Sequence, residues 1–199
     1  MSRQYRSCLA KVHGSSPPVS FLDELVDWAL RAPDVIFTPN ARYDVYSSVV
    51  NQLGPYGFTV HRKAVMLEVL RVLAGRETQW DWNHGVDTGK KEKKTSHTEE
   101  AGAFQCSANS MKLDKSLENY VQATIGSTDD STFITRSKSN HKFAIEYAAR
   151  LLRVTVEHHG PILHHHIHPE LRRDAVSEFK GYLECIGDFP SPPRGIRYA

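Results

Sequence analysis

The residue with the clearest potential for chemistry is Glu77. It follows the most apolar stretch of the chain, residues 61–75, which we predict to form a buried helix. A carboxylate at the carboxyl end of such a helix loses solvation and meets the negative end of the helix dipole. Both effects raise its pKa, as a general acid at neutral pH requires. These features alone favour an exposed glutamate at a frayed helix end, and acid catalysis at Glu77 is the alternative.

A second acidic group lies further along the chain. Glu99 and Glu100 directly precede the small-residue segment Ala101-Gly102-Ala103, which leads to Gln105. Small residues allow the backbone to approach a ligand closely. Taken alone this segment is a weak signal of a binding site, because many turns have the same composition.

Two tryptophans follow Glu77 at alternating positions, Trp80 and Trp82. Flat aromatic faces beside a polar cleft suit stacking on sugar rings. An ordinary place in the hydrophobic core is the alternative for each of them.

The most unusual compositional feature is histidine, of which the chain has 11. Much of this excess is one tract, comprising His158, His159, His164, His165, His166 and His168. Neutral imidazole binds zinc, but the tract has no acidic or cysteine partner at ligand spacing and contains Gly160 and Pro161. We expect a surface connector between two helices, and neither a metal site nor a cofactor. Cys106 could act as a nucleophile only beside a base, and we favour a buried, inert thiol.

The segments that must position these residues are mostly helical. Hydrophobic periodicity predicts helices over residues 21–31, 61–75, 113–125, 140–158 and 169–186. Ser20 and Asp23 are typical of a capping box at the first helix, and Gly126 of a helix end. Residues 81–100, with the basic run 90–94, should form a long exposed loop.

We therefore predict a mostly α single domain with a buried central helix and a long active-site loop. Residues 19–187 would form this domain, residues 1–18 a flexible N-terminal segment, and residues 188–199 a C-terminal tail.

Composition excludes several classes of protein. The 199 residues contain no apolar run of membrane-spanning length, so we expect no membrane partner. The 25 basic and 23 acidic residues nearly cancel, which disfavours nucleic acid as a partner. Three scattered cysteines cannot form a disulfide scaffold. No export signal is visible, so we expect synthesis in the cytoplasm and action after non-classical secretion or lysis.

Three segments together resemble the lysozyme-like superfamily of lytic transglycosylases and goose-type lysozymes. Glu77-Thr78-Gln79-Trp80 resembles its E-S-x-[FW] motif, and Gly102-Ala103-Phe104-Gln105 is similar to its G-L-M-Q turn. Residues 140–152, with Tyr147, resemble its later N-[IV]-x-x-[GA]-x-x-Y-L helix. The resemblance covers about residues 61–158.

The resemblance implies cleavage of β-1,4 bonds in peptidoglycan glycan strands, with Glu77 as the catalytic acid. It also implies a sugar cleft lined by Gln105, Tyr147, Trp80, Trp82 and Glu99. A bacterial toxin of this kind would have an immunity protein as a partner, and release at phage lysis is another route of delivery. The basic run 90–94 could hold an anionic strand.

The departures from the family pattern concern the second carboxylate. Thr78 replaces serine, the chain between Glu77 and Gln105 is longer, and Glu99 and Glu100 stand where the family has small residues. A second carboxylate would favour hydrolysis by an activated water, and Glu100 is the first candidate for it, followed by Asp87 and Glu99. A carboxyl separation of about 6.5–9.5 Å would favour inversion and about 5–5.5 Å retention. A lytic transglycosylase, a chitinase or chitosanase, and a non-catalytic glycan-binding protein remain alternatives.

Overall fold

Helices dominate the fold. The computed structural model describes residues 3–40, 43–85 and 95–185. The α-helices are α1 (Val19–Ala29), α2 (Val45–Ser48), α3 (Val50–Leu53), α4 (Thr59–Thr78), α5 (Lys115–Ile125), α6 (Asp130–Ser139), α7 (His141–Val154), α8 (Gly160–Leu163) and α9 (Arg173–Cys185). Short 3₁₀ helices are formed by Ser7–Leu9, Asp34–Phe37, Ala108–Leu113 and His168–Glu170. The prediction of a mostly α fold is confirmed.

The central element of the core is α4. Residues 64–75 are buried without interruption, because α1, α7 and α9 pack around this helix. The prediction of a helix buried on nearly all sides is therefore confirmed, and α4 extends three residues beyond the predicted end, so that it includes Glu77. None of the described helices is both long and apolar enough to cross a membrane.

A buried ion pair lies within this apolar helix. Arg71 donates to both carboxylate oxygens of Glu68, at 2.7 and 2.8 Å, and both side chains are fully buried. Arg71 also donates to the carbonyl of Ala10, and Glu68 accepts from the backbone N–H of Arg172. Buried charges require such partners, so this pair fixes two distant segments against α4.

The N-terminal segment departs from the expectation of a flexible region. Cys8 and Val12 are fully buried in the core. The carboxylate of Glu178 on α9 accepts hydrogen bonds from the backbone N–H groups of Arg6 and Cys8, at 2.7 and 2.8 Å. Long-range contacts of this kind have no local sequence signal, so the sequence alone predicts a flexible segment over residues 1–18, whereas its described part packs against the core.

Some predicted helix ends also differ. Helix α1 begins at Val19 after Pro18, without a side-chain cap, and Asp23 instead accepts from the hydroxyl of Tyr5. Helix α7 ends at Val154, four residues before the predicted end. The end of α5 at Gly126, which has a φ of 76°, was predicted correctly.

Helix α6 was missed because its sequence is rich in serine and threonine and buries only Phe133 and Ser137. Helix α9 begins at Arg173, since Pro169 lies in a preceding 3₁₀ turn.

The strands β1 (Glu100–Ala101) and β2 (Cys106–Ser107) form a short antiparallel hairpin. Glu100 pairs with Ser107, and Ala101 pairs with Cys106. The hairpin packs against α6. Asp87, the basic run 90–94 and the tail 188–199 lie outside the described residues.

Candidate active site

Glu77 lies in the last turn of α4 and is half-buried. The helix ends abruptly because Gln79 and Trp80 both adopt left-handed backbone conformations, with φ values of 53° and 64°. The indole of Trp80 is only 4% exposed, and its N–H donates to the carbonyl of Arg71 at 2.9 Å. Trp80 is therefore a core residue that folds back under α4, which corrects the expectation that it lines a sugar cleft.

Thr78 connects the end of α4 to the turn of the hairpin. Its hydroxyl lies 3.1 Å from the carbonyl oxygen of Ala103 and 3.2 Å from that of Ala74. The lysozyme-like family that the chain resembles has serine at this position, so the hydroxyl group is retained. Here it joins residues 77–80 to residues 102–105, the two segments that resemble the first two motifs of that family. Glu77 is consequently held next to the turn.

The turn itself depends on Gly102. It has a φ of 70°, and a Cβ at this position would lie 2.5 Å from the carbonyl oxygen of Ser137 on α6. Gln105 also has a positive φ, and its side-chain amide donates to the carbonyl of Gly102 at 2.8 Å. Gln105 is 7% exposed, so its amide N–H stabilises the turn from within.

Glu77 and Glu100, the two leading carboxylate candidates, both influence the pKa of the Cys106 thiol. Cys106 is buried on β2, and burial raises the pKa of its thiol. The negative charges of Glu77 and Glu100 raise this pKa further. Both carboxylates therefore lie within electrostatic range of this sulfur, Glu77 at the end of α4 and Glu100 on β1.

The same thiol contacts a histidine that sequence reasoning had assigned to the surface. Nε2 of His159 lies 3.9 Å from Sγ of Cys106, and His159 is only 2% exposed. Burial lowers the pKa of His159 to about 3, with a further contribution from His158. A neutral imidazole beside a neutral thiol is not an activated nucleophile, which agrees with an inert Cys106.

His158 lies against Ser107, the second residue of β2. Its Nε2 is 3.5 Å from Oγ of Ser107, the residue that pairs with Glu100 across the hairpin. Burial lowers the pKa of His158, and the charge of Glu100 opposes this shift. His158 is therefore a neighbour of Glu100, whereas His164, His165 and His166 are exposed as predicted for a connector.

Tyr147 supports the segment that follows the hairpin. Its ring is 1% exposed, and its hydroxyl lies 2.6 Å from Oγ of Ser110. With Cys106 and other core residues it borders a small cavity of about 10 Å³. Tyr147 thus lies behind the hairpin, and its burial leaves no surface for direct contact with a polymer, which corrects the expectation that it lines a sugar cleft.

Trp82 remains partly accessible. Its ring stacks on His141 at a centroid distance of 4.1 Å and contacts Phe104 edge-on at 5.7 Å. His141 in turn pairs with the carboxylate of Glu24 at 2.7 Å. Phe21 packs against the same ring at 5.2 Å, so Trp82 is fixed beside the turn by three rings and only part of it is accessible.

The structure thus brings Glu77, Glu100, Gln105 and Tyr147 around Cys106, while Glu99 is half-buried next to Glu100. Sequence reasoning missed His158 and His159 as parts of this site. Both follow α7, and only the tertiary position of that helix brings them to the hairpin. Within residues 3–40, 43–85 and 95–185, no group of three or more histidine, cysteine or acidic residues could hold a metal ion.

Comparison with known proteins adds no relative to this description. No family model matches the chain, and no curated protein or solved structure matches it.

Proposed function

We propose that this protein is a lysozyme-like glycoside hydrolase that cleaves β-1,4 bonds of peptidoglycan glycan strands, with Glu77 as the general acid. The observation that carries the proposal is the hydrogen bond from the hydroxyl of Thr78 to the carbonyl oxygen of Ala103, which holds the end of α4, with Glu77, against the hairpin that carries Glu100. Most glycoside hydrolases use two carboxyl groups, one on each side of the glycosidic bond that is cleaved.

The surroundings of Glu77 support the same role. It lies in the last turn of α4, the most buried of the described helices, and the neighbouring Thr78 is hydrogen-bonded to the turn 102–105. A general acid must be held rigidly relative to the scissile bond, and a helix end connected to a second segment provides such rigidity. Glu77 is half-buried, so part of the residue is accessible to solvent.

The proposed reaction assigns separate roles to the two carboxyl groups. The protonated carboxyl group of Glu77 donates its proton to the glycosidic oxygen as the bond from this oxygen to the anomeric carbon breaks. Glu100, or Asp87 outside the described residues, accepts a proton from the water that attacks the anomeric carbon. The products are two shorter strands, one of them with a new reducing end.

The partly accessible residues Trp82 and Glu99 are our candidates for direct contact with the glycan. Trp82 offers an aromatic ring beside the turn, and Glu99 offers a carboxylate next to Glu100. In this proposal Gln105 and Tyr147 hold the turn and the hairpin in place, because both are buried. If the protein is a toxin effector, an immunity protein that covers Glu77 would be its natural inhibitor.

The decisive experiment compares lysis of purified peptidoglycan by the wild type, Glu77→Gln and Glu118→Gln. Glu118 is an exposed carboxylate on α5 and serves as the matched control. We expect Glu77→Gln to lower the turnover rate by about 10²- to 10⁴-fold, and Glu118→Gln to leave it unchanged. Equal lysis by the wild type and Glu77→Gln would contradict the mechanism.

Product analysis distinguishes the related activities. Reducing ends in the products would support hydrolysis, and anhydro sugars would indicate a lytic transglycosylase. Release of chito-oligosaccharides from chitin or chitosan, without lysis of peptidoglycan, would identify chitin or chitosan as the substrate instead. Binding of peptidoglycan with no product would indicate a glycan-binding protein that has the fold without the activity.

A further inference from the structure

A cavity of about 500 Å³ lies between α2, α3 and the connector that follows α7. It is lined by Tyr43, Ser47, Ser48, Asn51, Gln52, Val156, Leu163, His165 and His168. This volume is within the range of small-molecule sites in proteins. None of these residues belongs to the candidate active site.

The chemistry of the walls points to an uncharged, hydrogen-bonding ligand. The lining consists of hydroxyl, amide and imidazole groups with two apolar side chains, and it contains no carboxylate, ammonium or guanidinium group. Anionic ligands require cationic partners. A saccharide, which presents neutral hydroxyl and amide groups, matches these walls.

Two lining side chains carry polar atoms that lack hydrogen bonds. Oγ of Ser48 and Oε1 of Gln52 are buried and have no hydrogen-bond partner among the described residues. A buried polar group without a partner is unfavourable. Because both atoms are buried, a ligand in the cavity reaches them only when the side chains of Ser48 and Gln52 rotate towards it, and Oε1 of Gln52 then accepts from a hydroxyl group or from the acetamido N–H of an amino sugar.

The accessible side of the cavity has an aromatic ring and an imidazole pair. Tyr43 is 55% exposed, and its backbone carbonyl is held by the N–H of Val156 at 2.8 Å. An exposed ring on a fixed backbone is a suitable stacking surface for a pyranose. Nδ1 of His165 lies 3.1 Å from Nε2 of His168, so this pair adds directional hydrogen-bonding groups to the wall.

We propose that this cavity is a second saccharide-binding site, which holds an N-acetylated amino-sugar unit of the polymer away from the point of cleavage. The identity of the sugar rests on the proposed function, whereas the preference for a neutral saccharide rests on the walls alone. Such a site would retain the protein on an insoluble polymer between cleavage events by raising the effective concentration at the active site.

The test is an NMR titration with the soluble tetramer of N-acetylglucosamine, using Glu77→Gln protein to prevent turnover. We expect saturable shifts of the backbone amide signals of residues 43–52 and 163–168. Adding Tyr43→Ala should weaken this binding by about five-fold or more. Phe58→Ala, which removes another exposed ring outside the cavity, should leave it unchanged.

The two proposals fail in different ways. Shifts confined to residues near Glu77 and the hairpin, or affinity unchanged by Tyr43→Ala, would overturn the second site without affecting the proposed function. Shifts at residues 43–52 that Tyr43→Ala abolishes would support the second site. They would do so even if the wild type cleaves neither peptidoglycan nor chitin.

Discussion

The hydroxyl of Thr78 and the carbonyl oxygen of Ala103 are 3.1 Å apart, and this hydrogen bond joins the end of the central helix to the turn of the hairpin. The two residues are far apart in the sequence but adjacent in the fold. Glu77 precedes Thr78, and Glu100 precedes the turn by only a few residues. The hydrogen bond therefore positions the two candidate carboxyl groups relative to each other.

Replacement of Thr78 tests this connection. Thr78→Val keeps the shape of the side chain but leaves the carbonyl of Ala103 without its donor. We expect a loss of about 1–2 kcal/mol in the free energy of unfolding, since buried acceptors that lose their partner are destabilising. Thr78→Ser, which keeps the hydroxyl group, should retain most of the free energy of unfolding that Thr78→Val loses. Urea denaturation measures both, and equal stability of the valine variant and the wild type would contradict the role of this bond.

The turn should tolerate no side chain at Gly102. Gly102→Ala combines an unfavourable positive φ with a Cβ that would lie 2.5 Å from the carbonyl oxygen of Ser137. Gly126 is the matched control, because it has a similar φ of 76° and no atom within 4 Å of its Cβ position. We expect about 1–2 kcal/mol of destabilisation for Gly126→Ala, from backbone strain alone, and clearly more for Gly102→Ala. Thermal unfolding of both variants gives the difference, and equal losses would show that the contact with Ser137 has no energetic effect.

Thiol reactivity should separate the three cysteines. Burial raises the pKa of Cys8 and of Cys106, whereas Cys185 is exposed. Since only a thiolate attacks disulfide reagents, we expect Ellman's reagent at pH 8 to modify Cys185 quickly in the native protein. The other two thiols should react only on unfolding. Cys185→Ser should therefore abolish the fast phase, and rapid modification of Cys106 in that variant would refute its description as an inert thiol.

The stability of the protein should decrease as the pH falls below 6.5, partly because of His159. Its pKa is lowered from 6.5 to about 3 in the folded state, so between these values the unfolded chain binds a proton that the native state does not. Stability therefore falls as the pH is lowered from 6.5 towards 3, by up to about 1.4 kcal/mol per pH unit for this group.

Urea denaturation at a series of pH values measures this dependence. We expect His159→Gln to reduce the slope of stability against pH in this window. His164→Gln, which removes an exposed imidazole, should retain the slope of the wild type. Identical slopes for His159→Gln and the wild type would contradict the burial of a neutral imidazole.

Much of the architecture could be predicted from local patterns. The apolar run that became α4, the periodic segments of α5 and α7 and the helix-ending Gly126 all have signals within a few residues of themselves. The position of Glu77 at the end of the buried helix follows from the same pattern. Local hydrophobicity decides these features, because burial of a helix depends mainly on its own side chains.

The tertiary structure alone decided which side chains meet at the site. His159 reaches Cys106 across more than fifty residues, and the N-terminal segment reaches Glu178 across the whole domain. The ring of Trp80 turned into the core because the backbone reverses at Gln79 and Trp80. Such contacts depend on how distant segments pack, and packing is set by the summed shape and charge of many residues, which no short segment of sequence contains.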